Sequence, residues 1–120
     1  MTLLQNNEHD DRLQKLVGPR DWQSPQPHRL YDLVVIGGGT AGLVSAAIAA
    51  GLGAKTALIE SDLMGGDCLN YGCVPSKALL AVSHRLRYLR EAAEYGMPAS
   101  NGEVDFAKIM QRLRKLRADI

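Results

Sequence analysis

Cys68 and Cys73 are the two cysteines of this 120-residue chain. They lie in Gly65-Gly66-Asp67-Cys68-Leu69-Asn70-Tyr71-Gly72-Cys73-Val74-Pro75-Ser76-Lys77. Two thiols so spaced admit three chemistries: a zinc site, a pair of inert buried thiols, or a disulfide that opens and closes. Zinc needs three or four ligands, usually with a second cysteine pair. There is no second pair here, and His9, His28 and His84 have no ligand-like spacing. In a regular helix, residues five apart have Cα atoms about 8–9 Å apart. A disulfide requires less than ~7 Å. A Cys68–Cys73 bond therefore needs an interrupted helix start, which Gly72 and Pro75 permit. So short a loop stabilises a fold by only roughly 2 kcal/mol before strain. Weakly stabilising bridges are easily reduced, and reducible bridges are the chemically active ones. A helix N-terminus just after the pair would favour a thiolate.

The second motif is Gly37-Gly38-Gly39-Thr40-Ala41-Gly42, which fits G-x-G-x-x-G. Alone it is a weak signal, since a glycine-rich turn can bind nothing. Its context is that of a dinucleotide site: an apolar run before it, a small-residue helix after it, and an acid, Glu60, 18 residues beyond Gly42. Gly37 allows the tight turn, Gly39 lets a pyrophosphate approach, and Gly42 lets the helix pack closely on the strand. The phosphates would sit at the helix N-terminus, where N–H groups are unpaired and the dipole is positive. Glu60 would accept hydrogen bonds from ribose hydroxyls. This pattern does not separate FAD from NAD, and the carboxylate disfavours the 2′-phosphate of NADP.

The elements that must carry these residues follow from periodicity. Tyr31–Ile36 reads as a buried strand, Thr40–Gly51 as a closely packed helix and Lys55–Glu60 as a second strand. Together they predict a βαβ unit. Pro75–Tyr95 reads as a helix with Leu79, Val82, Leu86, Leu89 and Ala93 on one face, ended by Gly96 and Pro98. Asp105 would cap a last helix with Phe106, Ile109, Met110, Leu113 and Leu116 on its apolar side. Lys108, Arg112, Arg114, Lys115 and Arg117 read as its solvated face. Residues 1–30 form a polar extension. In it Leu13, Leu16 and Val17 share a short helix stopped by Gly18-Pro19, Ser24-Pro25-Gln26-Pro27 is a linker, and Trp22 is expected to pack the extension onto the rest.

Composition excludes several classes. The chain is 46% hydrophobic and 22% charged, a globular rather than a disordered balance. A net charge of +1 gives no bulk electrostatic case for nucleic acid. No apolar run reaches the ~18 residues of a membrane helix, and the first residues lack the apolar core of an export signal. Two cysteines are too few for a disulfide-stapled secreted scaffold. The expectation is a cytoplasmic protein. Two strands alone make a poor sheet, and the last helix is still in phase at Ile120. Residues 31–120 are thus expected to be the truncated N-terminal part of a larger FAD/NAD(P)-binding α/β fold, a Rossmann-like βαβ unit followed by helices.

G-x-G-x-x-G, an acid, then G-G-x-C-x₄-G-C-x-P-S-K resembles the class I flavin disulfide reductases, or pyridine nucleotide-disulfide oxidoreductases, from Tyr31 to about Ile120. The wording from Met64 to Cys73, with the Trp/Pro extension, is most similar to the mercuric reductase-like and dihydrolipoamide dehydrogenase-like branch. The resemblance implies an FAD-dependent oxidoreductase, with electrons passing from NAD(P)H to flavin, to a Cys68–Cys73 disulfide, and on to an acceptor. It implies that Glu60 holds the FAD ribose and that Gly37, Gly39, Thr40, Ala41 and Gly42 surround the pyrophosphate. Gly66 and Asp67 would line the flavin side. Cys73 would be the flavin-facing thiol and Cys68 the interchange thiol. Lys77 would approach the flavin ring and tune it; its alternative is a solvated helix lysine. Many relatives carry Thr at the place of Asp67, so a carboxylate there stands to alter the chemistry. The family also implies an NAD(P)-binding domain and a dimerisation domain with an acid–base His–Glu pair, hence a homodimer. The acceptor is a small molecule or metal ion, and mercury in particular has no support. Without those domains, residues 1–120 are expected to be inactive alone. The competing reading is a non-catalytic dinucleotide-binding module whose cysteines are structural or regulatory.

Overall fold

A computed structural model describes residues 7–120. The first helix, α1 (Glu8–Val17), starts where Asn7 accepts hydrogen bonds from the backbone N–H of His9 and Asp10. Glu8, Asp10 and Asp11 fill its first turn, where the helix dipole favours acids. It stops at Gly18 as expected. Next come β1 (Leu33–Ile36), α2 (Thr40–Gly51) and β2 (Thr56–Ile59). The strands pair in parallel, with Leu33 opposite Thr56 and Ile36 opposite Ile59. This is the predicted βαβ unit, with α2 at its predicted bounds and each strand two residues shorter than expected.

The remainder is helical. A five-residue helix, α3 (Gly66–Asn70), carries Cys68 and was not anticipated. α4 (Cys73–Glu91) begins two residues before the predicted Pro75. Pro75 is in the first turn, where its missing N–H costs nothing, so it does not mark the boundary. The helix tightens into a 3₁₀ turn at Ala92–Tyr95, closed by Gly96 in the left-handed region. Asp105 caps α5 (Phe106–Asp119) by accepting from Lys108 N–H, as predicted.

Leu13, Leu63, Ala78, Ala92, Leu113 and Ala118 form the buried apolar set of the helical part. The predicted α4 stripe is only partly covered, with Leu79 and Leu89 exposed and the smaller Ala78 and Ala92 buried instead. On the sheet, Ile36 and Ile59 remain exposed. Trp22 is 69% exposed, so it does not pack into a core; it borders a groove of about 430 Å³ with Pro25, Tyr31, Leu58, Glu60 and Met64. Arg117 corrects the reading of a wholly solvated basic face, since it is 5% exposed and ion-paired to Asp10 of α1. Among the described residues, no helix is long and apolar enough to cross a membrane.

Candidate functional site

The glycine turn is built by backbone contact. Gly37 has φ +104° and donates its N–H to Ile59 O at 2.7 Å, closing β1 onto the end of β2. A Cβ at Gly42 would lie 1.9 Å from Gly37 O and 3.3 Å from Val35 Cγ1. No side chain fits there, so α2 reaches the strand only because position 42 is glycine. Gly39 is the N-cap of α2 and brings no capping side chain, and the first turn holds no acid. Thr40 and Ala41 are exposed at that helix start. The helix thus opens with uncapped N–H groups at its positive end.

Glu60 lies at this turn, as its spacing required. Its carboxylate accepts from Gly38 N–H at 2.5 Å, Ser61 N–H at 2.8 Å and Asp62 N–H at 2.9 Å. These donors, Gly38 first, hold its carboxyl below the usual carboxylate range. A carboxylate has about four lone-pair positions, so three N–H bonds leave room for a further donor. Glu60 therefore braces the loop as well as offering an acceptor beside it, a double role that spacing did not reveal.

The cysteine segment lies directly on the glycine turn. Gly65 N–H donates to Gly38 O at 2.8 Å. A Cβ on Gly66, whose φ is +59°, would come within 2.7 Å of Gly39 Cα. Backbone meets backbone there, which carries the start of α3, two residues before Cys68, to the glycine turn. The chain then breaks its helix. Tyr71 and Gly72 N–H both donate to Asp67 O, at 2.9 and 2.6 Å, and α4 restarts at Cys73. This is the interrupted helix start that a close approach of the two cysteines demands.

Cys68 and Cys73 are thiols in this structure, with no bond between them; Cys68 is half-buried and Cys73 exposed. Their side chains interact. A hydrogen bond with Cys73 comes first among the causes that raise the Cys68 thiol above its ordinary range, followed by burial and by electrostatic repulsion between the two sulfurs. The Lys77 ammonium, one turn into α4, acts on Cys68 in the opposite sense. Lys77 is exposed yet electrostatically part of the pair. Asp67 is exposed and its main chain forms the turn. Gly37, Gly39, Thr40, Ala41, Gly42 and Glu60 thus gather at the glycine turn and start of α2, Gly66 touches that turn at Gly39, and Asp67, Cys68, Cys73 and Lys77 follow on α3 and α4. Among the described residues, no three His, Cys, Asp or Glu side chains gather as a metal site.

The residues present fit FAD. A Cβ at Gly39 would have no atom nearer than 3.9 Å, so a phosphate can approach that cradle. Uncapped helix N–H groups face it, and an acid flanks it.

Asn70 was missed. It is 1% exposed, and its amide donates to Leu63 O, Met64 O and Gly66 O at 3.4, 3.2 and 2.9 Å. It therefore fixes the loop leading to Cys68. The only signal was a buried-type role for a polar residue between the cysteines, which periodicity does not reveal.

A family profile described as "Pyridine nucleotide-disulphide oxidoreductase" matches residues 31–120. The chain is 48% identical over 82 residues to a "Dihydrolipoyl dehydrogenase" of Bacillus subtilis (strain 168), covering 68% of this chain and 17% of the relative. It is 51% identical over 72 residues to a "Glutathione reductase" of Yarrowia lipolytica, covering 60% of this chain and 15% of that protein. It is 52% identical over 77 residues to "Dihydrolipoyl dehydrogenase 2, chloroplastic" of Arabidopsis thaliana, covering 64% and 13%. The chain spans about a sixth of the length of such relatives.

Proposed function

The chain belongs to the pyridine nucleotide-disulphide oxidoreductases, and from that premise we propose that residues 31–120 carry the FAD-binding and thiol-bearing part of an NAD(P)H-dependent disulfide reductase. The observation that carries the reading is the contact between the glycine turn and the segment that leads into the thiol pair, through Gly66 against Gly39 and Gly65 N–H to Gly38 O. Gly37, Gly39, Thr40, Ala41 and Gly42 would receive the pyrophosphate, and Glu60 the ribose. Gly66, Asp67 and Lys77 would face the flavin side. FAD, when bound, supplies a two-electron carrier between NAD(P)H and the cysteines.

The residues of this chain perform the second half of the transfer. Opening a Cys68–Cys73 bond takes two electrons and two protons and gives the two thiols seen here. In the open pair Cys73 lies at the N-terminus of α4, with Lys77 one turn further on, and its hydrogen bond with Cys68 holds the Cys68 thiol above its ordinary range. Cys68 gives up its proton to a base, the role the resemblance assigns to a His–Glu pair, and attacks an acceptor disulfide. One acceptor thiol leaves with a proton. Cys73 then displaces the second acceptor thiol from Cys68, and the Cys68–Cys73 bond re-forms. A metal-ion acceptor would take the same two electrons. Cytoplasmic location, homodimerisation and inactivity of residues 1–120 alone belong to the same proposal.

An absorption spectrum of the purified chain with FAD, before and after one equivalent of dithionite, tests it. A structured flavin band that gains a long-wavelength shoulder on reduction is expected, because a Cys73 thiolate would then face the flavin. A spectrum identical to free FAD, in a chain shown by circular dichroism to be folded, would sink the reading.

A further inference from the structure

The extension does more than precede the βαβ unit. The Asp10 carboxylate on α1 pairs with Nη2 of Arg117 on α5, and their side chains are 1% and 5% exposed. Arg117 Nη1 donates to Asn70 O at 3.0 Å. Asn70 is the last residue of the helix that bears Cys68, and its amide grips three carbonyls of the preceding loop. One guanidinium thus joins α1, α5 and the carbonyl end of α3, where a cation is favoured. At the other end of α1, Val17 O accepts from Met64 N–H at 2.8 Å. The extension thus holds the loop that delivers Cys68 directly at Met64 and, through Arg117, at Asn70.

This arrangement is poorly suited to stability alone. Arg117 Nε and Asn70 Oδ1 are buried without a hydrogen-bond partner among the described residues. A buried ion pair recovers its desolvation cost only with good geometry and satisfied neighbours, and apolar replacements often stabilise more. What the pair does supply is a fixed position for a five-residue helix too short to hold itself.

We propose that Asp10 and Arg117 are positioning residues for the Cys68–Cys73 pair, so that the N-terminal extension sets how readily the two sulfurs meet. The proposal rests on the reading of these cysteines as a redox pair. With α3 clamped, Cys68 is presented to Cys73; with the clamp loosened, the sulfurs meet less often and the bond forms less favourably.

The test uses the whole 120-residue chain equilibrated with dithiothreitol buffers. Asp10→Asn is expected to lower the equilibrium constant for closing the bond about tenfold, which makes the couple about 30 mV less reducing. Arg117→Lys, which keeps the charge with one donor centre, should fall between Asp10→Asn and the parent chain. Leu13→Ala removes apolar packing from the same helix while keeping both members of the ion pair and should leave the constant within about twofold, at a temperature where circular dichroism shows all variants folded. An equal drop in all three variants would mean simple loosening and overturn the proposal, as would no change in Asp10→Asn. If the parent pair never closes in any buffer, the redox reading fails instead. Iodoacetamide labelling of Cys68, mapped by mass spectrometry, then decides: a rate about tenfold faster in Asp10→Asn supports the clamp, and an unchanged rate rejects it.

Discussion

Around the glycine turn, every contact that shapes the site has a backbone atom of the turn on one side: Gly37 N–H to Ile59 O, Gly38 N–H to the Glu60 carboxylate, and Gly42 against Gly37 O. Around the cysteine helix, side chains from distant parts of the chain do the holding: Asp10, Asn70 and Arg117, with Leu13 and Leu113 buried beside them. Backbone contacts are local and tolerate no added atom. Side-chain networks are long-range and depend on burial. The two regions should therefore fail separately and by different chemistry. Two probes can tell them apart. Trp22, the one tryptophan, borders the groove along β2. Far-UV circular dichroism is dominated by the longer helices α4 and α5.

The sharpest break is Arg117→Met. It removes the cation beside the buried Asp10 carboxylate, which keeps the Asn7 amide as a donor, at a cost of about 3–5 kcal/mol. Urea melts followed by circular dichroism should show it. The double variant Asp10→Leu with Arg117→Met should recover most of that loss, because no lone charge remains. If the double variant were no better than the single one, desolvation would not be the cause. If Trp22 fluorescence fell with the same midpoint shift, the two regions would be one cooperative unit and the distinction would collapse.

Next is Gly42→Ala, whose Cβ would fall 1.9 Å from Gly37 O. Overpacking against backbone is expected to cost about 1–3 kcal/mol. The Trp22 transition should move more than the circular dichroism transition, and FAD should fail to bind. Normal FAD binding would mean that α2 can shift away from β1 without disturbing the turn.

This difference also explains what the sequence revealed. The βαβ unit was legible because its determinants are neighbours in the chain: glycines, a β-branched run and an acid at set intervals. α2 lies at its expected bounds for that reason. α3 was not legible. Five residues opened by two glycines give no period to read, and its hold comes from Asn70 and Arg117. Arg117 reads as part of the solvated face because helix periodicity cannot see a carboxylate 107 residues away. Pro75 misled by two residues, since proline is tolerated throughout a first turn. Motif spacing pointed to Gly37, Gly39, Gly42, Glu60, Cys68 and Cys73 as candidates, and the family resemblance added Thr40, Ala41, Gly66, Asp67 and Lys77. Asn70, Asp10 and Arg117, which hold those residues in place, came only from the fold.

A smaller effect, confined to the backbone-held region, should come from pH. The Glu60 carboxyl is held low by Gly38 N–H first. A group whose folded pKa lies below its unfolded value stabilises above the unfolded pKa. That contribution is lost as pH falls through the folded one. The Trp22 transition should therefore weaken below about pH 4.5, the ordinary value for this carboxyl. In Glu60→Gln that Trp22-specific loss should be absent. A parallel acid loss in parent and variant would mean that other carboxylates govern the region.

The smallest effect is expected at the contact most like the largest. Arg12 of α1 pairs with Asp119 of α5 at 2.6 Å, between the same two helices as Asp10 and Arg117. Its side chains are 58% and 34% exposed, against 5% and 1% for Arg117 and Asp10. Asp119 also accepts from Lys115, so it keeps a cation when Arg12 is removed. Water screens such a pair, and holding two long side chains in one pose offsets what attraction remains. Arg12→Ala should leave both the circular dichroism midpoint and the closing equilibrium of Cys68–Cys73 unchanged within error. A large shift in either would mean that charge pairing across α1 and α5, rather than its burial, holds the extension to the cysteine helix. The Asp10–Arg117 clamp would then have no special standing.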